Sequence, residues 1–343
     1  MHPTRTVLLT ALGLLVAATG CGAGADAARV EALAPTPAAP APSGAGLPTV
    51  AVAQMTASTT TDQTVGMPAS ALNLAALPLG TGKSATAPEA GRLYRCGGLP
   101  PAAGPPVTTP PWVNTTAKTW DMRTKDAVEG AVTWKSEFTA ERDGTDLVLK
   151  GNGLPPRSGT FPVAASDPAH AYNPDPLPVI SHTVSARLPW TPRVATTPSC
   201  EDGVVGLAAN GIPLLDGFDA GGYDAVALET QDTCHGHPNP DGYHYHSLSP
   251  CMLSASSRQR TTQVGWALDG FGIFAEYDSR GRLLTNADLD GCHGRTSKVP
   301  WQGGEASVYH YVVTFEFPYT VGCFRGTPTT IHSGLKPTAP PGP

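Results

Sequence analysis

His235, His237, His244 and His246 fall in one short stretch, Cys234-His235-Gly236-His237-Pro238-Asn239-Pro240-Asp241-Gly242-Tyr243-His244-Tyr245-His246, and make up four of the ten histidines in the chain. A neutral imidazole is a nitrogen donor, so two to four converging rings can bind a transition metal such as Zn or Cu. Asp232 and Asp241 lie close enough in sequence to orient such rings by hydrogen bonds, and His310 is a further candidate for that role. Asp269, set between Ala267-Leu268 and Gly270-Phe271, is a weaker candidate as ligand, base or catalytic residue. The alternative for the same residues is a buried polar network, because His and Tyr alternation is also ordinary strand composition. No nucleophile elbow, phosphate loop or dinucleotide fingerprint accompanies them.

Positioning these side chains requires a strand and a turn. Successive strand residues point to opposite sides, so His244 and His246 share one face and Tyr243 and Tyr245 the other. Pro240-Asp241-Gly242 is a turn that can fold His235 and His237 back towards that face. The landmarks then recur about sixty residues later. Gly206 to Ile212, Asp232-Thr233-Cys234-His235-Gly236, Tyr243-His244-Tyr245-His246 and Cys251 are echoed by Gly265 to Phe271, Asp290-Gly291-Cys292-His293-Gly294, Tyr309-His310-Tyr311-Val312 and Cys323. This reads as an internal duplication, with copies at about 200–255 and 260–326. The second copy keeps His293 and His310 but has Arg295 and Val312 in place of His237 and His246. The pair His237 and His246 is therefore the better candidate for special chemistry.

Cysteine usage and the N-terminus set the compartment. Arg5, the apolar run Val7 to Ala18 and Ala18-Thr19-Gly20-Cys21 read as a secretory signal over residues 1–20. That end resembles a bacterial lipobox, which makes Cys21 the expected lipidation site and anchors the protein to the membrane's outer face. Cleavage beyond it would instead release a secreted protein. Of the seven cysteines, six then remain for disulfides. The repeat pairs Cys234 with Cys251 and Cys292 with Cys323, leaving Cys96 for Cys200. Metal ligation by cysteine is disfavoured because no CxxC spacing is present. The net charge of −6, with no basic block, gives no support for nucleic-acid binding.

Residues 21–60 are Ala- and Pro-rich and read as a disordered tether. Residues 61–116 form a Pro/Gly-rich segment without clear pattern, and 331–343 a Pro-rich tail. Between them, 117–330 reads as one domain. Asp146 to Lys150, Ile180 to Ala186 and Ser307 to Phe317 are expected strands, and Asp216 to Asp219 a turn or loop. Helical periodicity is weak, so the expected fold is mostly β: a compact antiparallel domain, sandwich or barrel-like, with the duplication inside it.

At these residues the chain resembles the YHYH-domain family. The likeness rests on Tyr243-His244-Tyr245-His246, Val264 to Phe271, Tyr309-His310-Tyr311, Phe317-Pro318-Tyr319 and Gly322-Cys323. Gly151 to Pro155 and Gly159 to Pro162 extend it, so that it covers roughly Trp120 to Gly326. The resemblance implies an exported bacterial protein and leaves the chemistry open. From the residues, the leading expectation is a membrane-anchored lipoprotein that binds Zn or Cu through His235, His237, His244 and His246. An exported metal-dependent hydrolase using the same histidines, and a disulfide-braced surface or adhesion module without catalysis, are the alternatives.

Overall fold

The structure, a computed structural model, describes residues 62–97 and 108–333. The expected signal, Cys21, the tether to residue 60 and the tail from residue 334 lie outside them. The fold is mostly β, and its core is built around two sheets.

The smaller sheet begins with a hairpin, β1 (Phe138–Asp143) and β2 (Asp146–Gly151), in which Asp143 faces Asp146 across a two-residue turn. β3 (Val184–Pro189) pairs antiparallel with β2. The expected strand from Ile180 starts only at Val184. Residues before it serve packing instead: His182 fills the space beside Gly153 and Gly242, where an added Cβ would stand within 2.3 Å of its ring.

The larger sheet has eight strands. β4 (Val204–Ala208) and β5 (Pro213–Leu215) form one hairpin; β6 (Gly236–Asn239) and β7 (Gly242–Tyr245) form the next, with β7 parallel to β5. β8 (Thr262–Ala267) and β9 (Gly272–Ala275), then β10 (Gly294–Trp301) and β11 (Gly304–Val312), repeat this plan, with β11 parallel to β9. The spatial order is β6-β7-β5-β4-β8-β9-β11-β10, so the sheet reads alike from either edge. Its two halves meet at β4 and β8, where Leu207 faces Trp266. β6 and β10 are opposite edges, so the sheet is open and not a closed barrel. β11 ends at Val312, short of the expected Phe317. Finally β12 (Ile331–Ser333) returns to pair with β3.

The turns that lead into β6 and β10 are built alike. Asp232 Oδ1 accepts the amides of Cys234 and Gly236 at 2.7 and 3.4 Å, and Asp290 Oδ1 accepts those of Cys292 and Gly294 at 2.9 and 3.1 Å. These turns hold His235 and His293 at φ 58° and 69°, a left-handed conformation unusual for a non-glycine residue. Tyr243 then donates to Asp232, and Tyr309 to Asp290. Strands β7 and β9 are buried along their whole length, on both faces of the sheet. Leu77, Leu93 and Trp112, from the segment without clear sequence pattern, join that core. Disulfides link Cys96 to Cys200, Cys234 to Cys251 and Cys292 to Cys323. Three such bonds fit an exported protein. No helix among the described residues is long and apolar enough to cross a membrane.

Candidate metal centre

The β6–β7 hairpin turns at Pro240-Asp241 and sets His237 directly opposite His244. Their rings lie 4.4 Å apart between centroids. His246 follows β7 on the same side as His244. The parallel pairing of Leu214 with Tyr245 brings the end of β5 alongside it, so that His246 Nδ1 donates to the Asp216 carbonyl. Tyr243 and Tyr245 take the opposite face, where Tyr243 donates to Asp232 and Tyr245 accepts from Asn210.

Each of the three rings is held with Nε2 facing the others. His244 Nδ1 lies 3.1 Å from the Gly242 carbonyl and His237 Nδ1 lies 3.6 Å from Asp175 Oδ2. With protons on the three Nδ1 atoms, the Nε2 lone pairs converge. His244 Nε2 and His246 Nε2 are 3.0 Å apart. Glu229 supplies a fourth donor: its Oε2 lies 3.2 Å from His237 Nε2 and 3.3 Å from His246 Nε2. Neither Glu229 Oε2 nor His237 Nε2 has a hydrogen-bond partner among the described residues, despite that proximity. Ligands about 2.0–2.1 Å from one tetrahedral ion stand about 3.3–3.4 Å apart, and the distances from Glu229 Oε2 to His237 Nε2 and His246 Nε2 are of that size. The three histidine donor atoms all lie within 4.8 Å of one another, and each residue is buried.

Electrostatics agrees with the geometry. Burial alone would raise the Glu229 carboxyl, but His237 and His246 hold it well below the usual range. Burial likewise opposes a charge on His237, yet Glu229 and Asp175 raise it to about 9. His244 is pushed far down by burial and by its two neighbouring rings. His237 therefore carries a positive charge next to the ionised Glu229 carboxylate in the protein alone.

Other sequence candidates lie elsewhere. His235 is turned away by its left-handed backbone, and its ring nitrogens face the carbonyls of Gln63 at 2.8 Å and Leu248 at 3.2 Å. The structure does not bring it to the other three. Asp232 is occupied by Tyr243 and by the amides of Gly159, Cys234 and Gly236. Asp241 is on the exposed hairpin turn. His310 pairs with Glu276 at 2.9 Å in the other half of the sheet. Asp269 accepts from Tyr311 at 2.6 Å, from the Gly326 amide at 2.8 Å and from the Phe271 amide at 3.3 Å, so its lone pairs brace loops.

Glu229 and Asp175 have no signal at a metal-motif spacing. Glu229 caps the C-terminus of the short α1 (Ala225–Leu228), and Asp175 lies in the loop before β3. Only tertiary contact brings them to the rings. A family model described as YHYH protein matches residues 185–283. No curated protein and no solved structure matches the chain.

Proposed function

From a chain that belongs to the YHYH family through residues 185–283, we propose an exported metal-binding protein whose ion is held by His237, His244, His246 and Glu229. The observation that carries this reading is the grouping of His237, His244 and His246, whose donor atoms lie within 4.8 Å of one another, with the Glu229 carboxylate beside two of them. Three imidazoles and one carboxylate, without sulfur, suit Zn(II) or Cu(II). Asp175, the Asp216 carbonyl and the Gly242 carbonyl hold the rings in the donating tautomer, a role outer partners play around bound metals. With all four positions filled by protein, the site fits binding and retention of the ion. The Glu229 side chain, about 20% exposed, is the most accessible donor. That is the feature favouring the second reading, a metal-dependent hydrolase in which Glu229 yields its place to water and substrate.

We further read Cys21 as the lipidation site, which places the domain at the outer face of the membrane. Metal analysis of protein purified without a histidine tag tests the main reading. About one Zn or Cu per chain, lost in His246→Val, is expected. A folded wild type that takes up neither ion from buffered solutions leaves the cluster as a proton-sharing network and overturns it.

A further inference from the structure

Glu229 is the one ligand that the hairpin does not carry. Its backbone sits between α1 and Gln231, and that short stretch is fastened from outside residues 185–283. The Trp112 indole N–H donates to the Ala227 carbonyl at 2.9 Å. Lys125 Nζ donates to the Val226 carbonyl at 2.5 Å and to Gln231 Oε1 at 3.0 Å. Just beyond, Gln231 and Asp232 pair in parallel with Ala127 and Val128. Thr230 Oγ1 donates to the Asn173 carbonyl, which ties the same stretch to the loop bearing Asp175. Residues 112–128 thus grip residues 226–232 on both sides of Glu229.

Lys125 is the unusual member of this grip. It is 1% exposed, and among the described residues it donates to the two groups that bracket Glu229. Burying a lysine is costly, and methionine or leucine would fill comparable volume without that cost. An amine here does what an apolar side chain could not: it fixes Val226 and Gln231 relative to each other.

We propose that Lys125 and Trp112 are positioning residues for Glu229, so that the metal centre is completed by a segment lying outside the residues that carry the histidines. This rests on the metal reading above. Lys125→Met removes both bonds, and Trp112→Phe removes one while keeping a ring. The expected result is a 10–100-fold loss of Zn affinity in Lys125→Met, as for other residues that orient ligands, and a smaller loss in Trp112→Phe. With Co(II) as probe, the wild type should show the strong visible bands of a four-coordinate ion. Both variants should lose intensity towards the spectrum of Glu229→Gln. Tyr311→Phe, which breaks a buried bond in the other half of the sheet, should lower stability and leave affinity and spectrum alone.

Should Lys125→Met fail to fold, Trp112→Phe carries the test. Unchanged Co(II) spectrum and Zn affinity in a folded variant overturn the proposal. Crystal structures separate the two claims. Glu229 still about 3.2 Å from His237 Nε2 in both variants sinks the positioning role whatever the wild type binds. A displaced Glu229 in a protein whose wild type binds no metal supports positioning and sinks only the metal reading.

Discussion

At His246 the two readings of the cluster make opposite demands. A metal ligand can be replaced by an apolar residue of smaller size at modest structural cost, whereas a network member leaves its partners buried and unpaired. The second half of the sheet already carries Val312 after its Tyr309-His310-Tyr311. His246→Val should therefore fold, with circular dichroism and melting close to those of the metal-free wild type, and lose bound metal. Asp175 acts one step back from the ion. Asp175→Asn keeps the shape and removes the charge that faces His237 Nδ1, so Zn affinity should drop about 10–100-fold in a competition titration. Equal affinity would mean that His237 is oriented by packing alone.

Histidines outside the centre make the pH prediction. Burial drives His293 down to about 3 and His235 down to about 4. An unfolded ring takes up a proton near pH 6.5, so between that value and the folded pKa the unfolded chain binds more protons. Stability from these two rings is therefore lost as pH falls below about 6.5, at up to about 1.4 kcal/mol per pH unit for each ring. Asp232, raised to about 6 by burial, acts in the opposite sense, so the comparison must be with a variant. His293→Gln should show a flatter denaturation profile than wild type between pH 6.5 and 4. Parallel profiles would contradict a neutral buried His293.

At the scale of elements, the Cys234–Cys251 disulfide closes a loop that contains β6, β7 and all three ring ligands. Replacing both cysteines by alanine should cost about 3 kcal/mol for a loop of this length, read as a lower denaturant midpoint. The strands of this hairpin were legible in the sequence for a physical reason. Alternation of His and Tyr specifies two faces, and Pro-Asp-Gly specifies the reversal between them. His235 was misread because composition does not disclose that the Asp232 turn puts it at positive φ, which sends its ring to Gln63 and Leu248. Glu229 and Asp175 were invisible because their place depends on Lys125, Trp112 and Thr230 contacts between segments far apart in the chain. Spacing motifs record only neighbours along the sequence. Of the landmarks that recur along the sequence, Gly206–Ala208 and Gly265–Ala267, and Tyr243–Tyr245 and Tyr309–Tyr311, fall on strands that hold corresponding places in the order of the large sheet.

For the whole molecule, the expected anchor is open to direct measurement: mass spectrometry of the mature protein should find an acylated Cys21 at its N-terminus. An unmodified terminus further along would make it a freely secreted protein. Either way, the outer strands of the large sheet bear on how it behaves at high local concentration. β6 contains Pro238 and β10 contains Pro300, so each outer strand lacks one of the amides that a neighbouring chain would need for strand-to-strand docking. Lys298 adds a charge to β10, a further device against such pairing. Many copies held side by side would therefore be hindered from merging into a shared β-ribbon through these two strands.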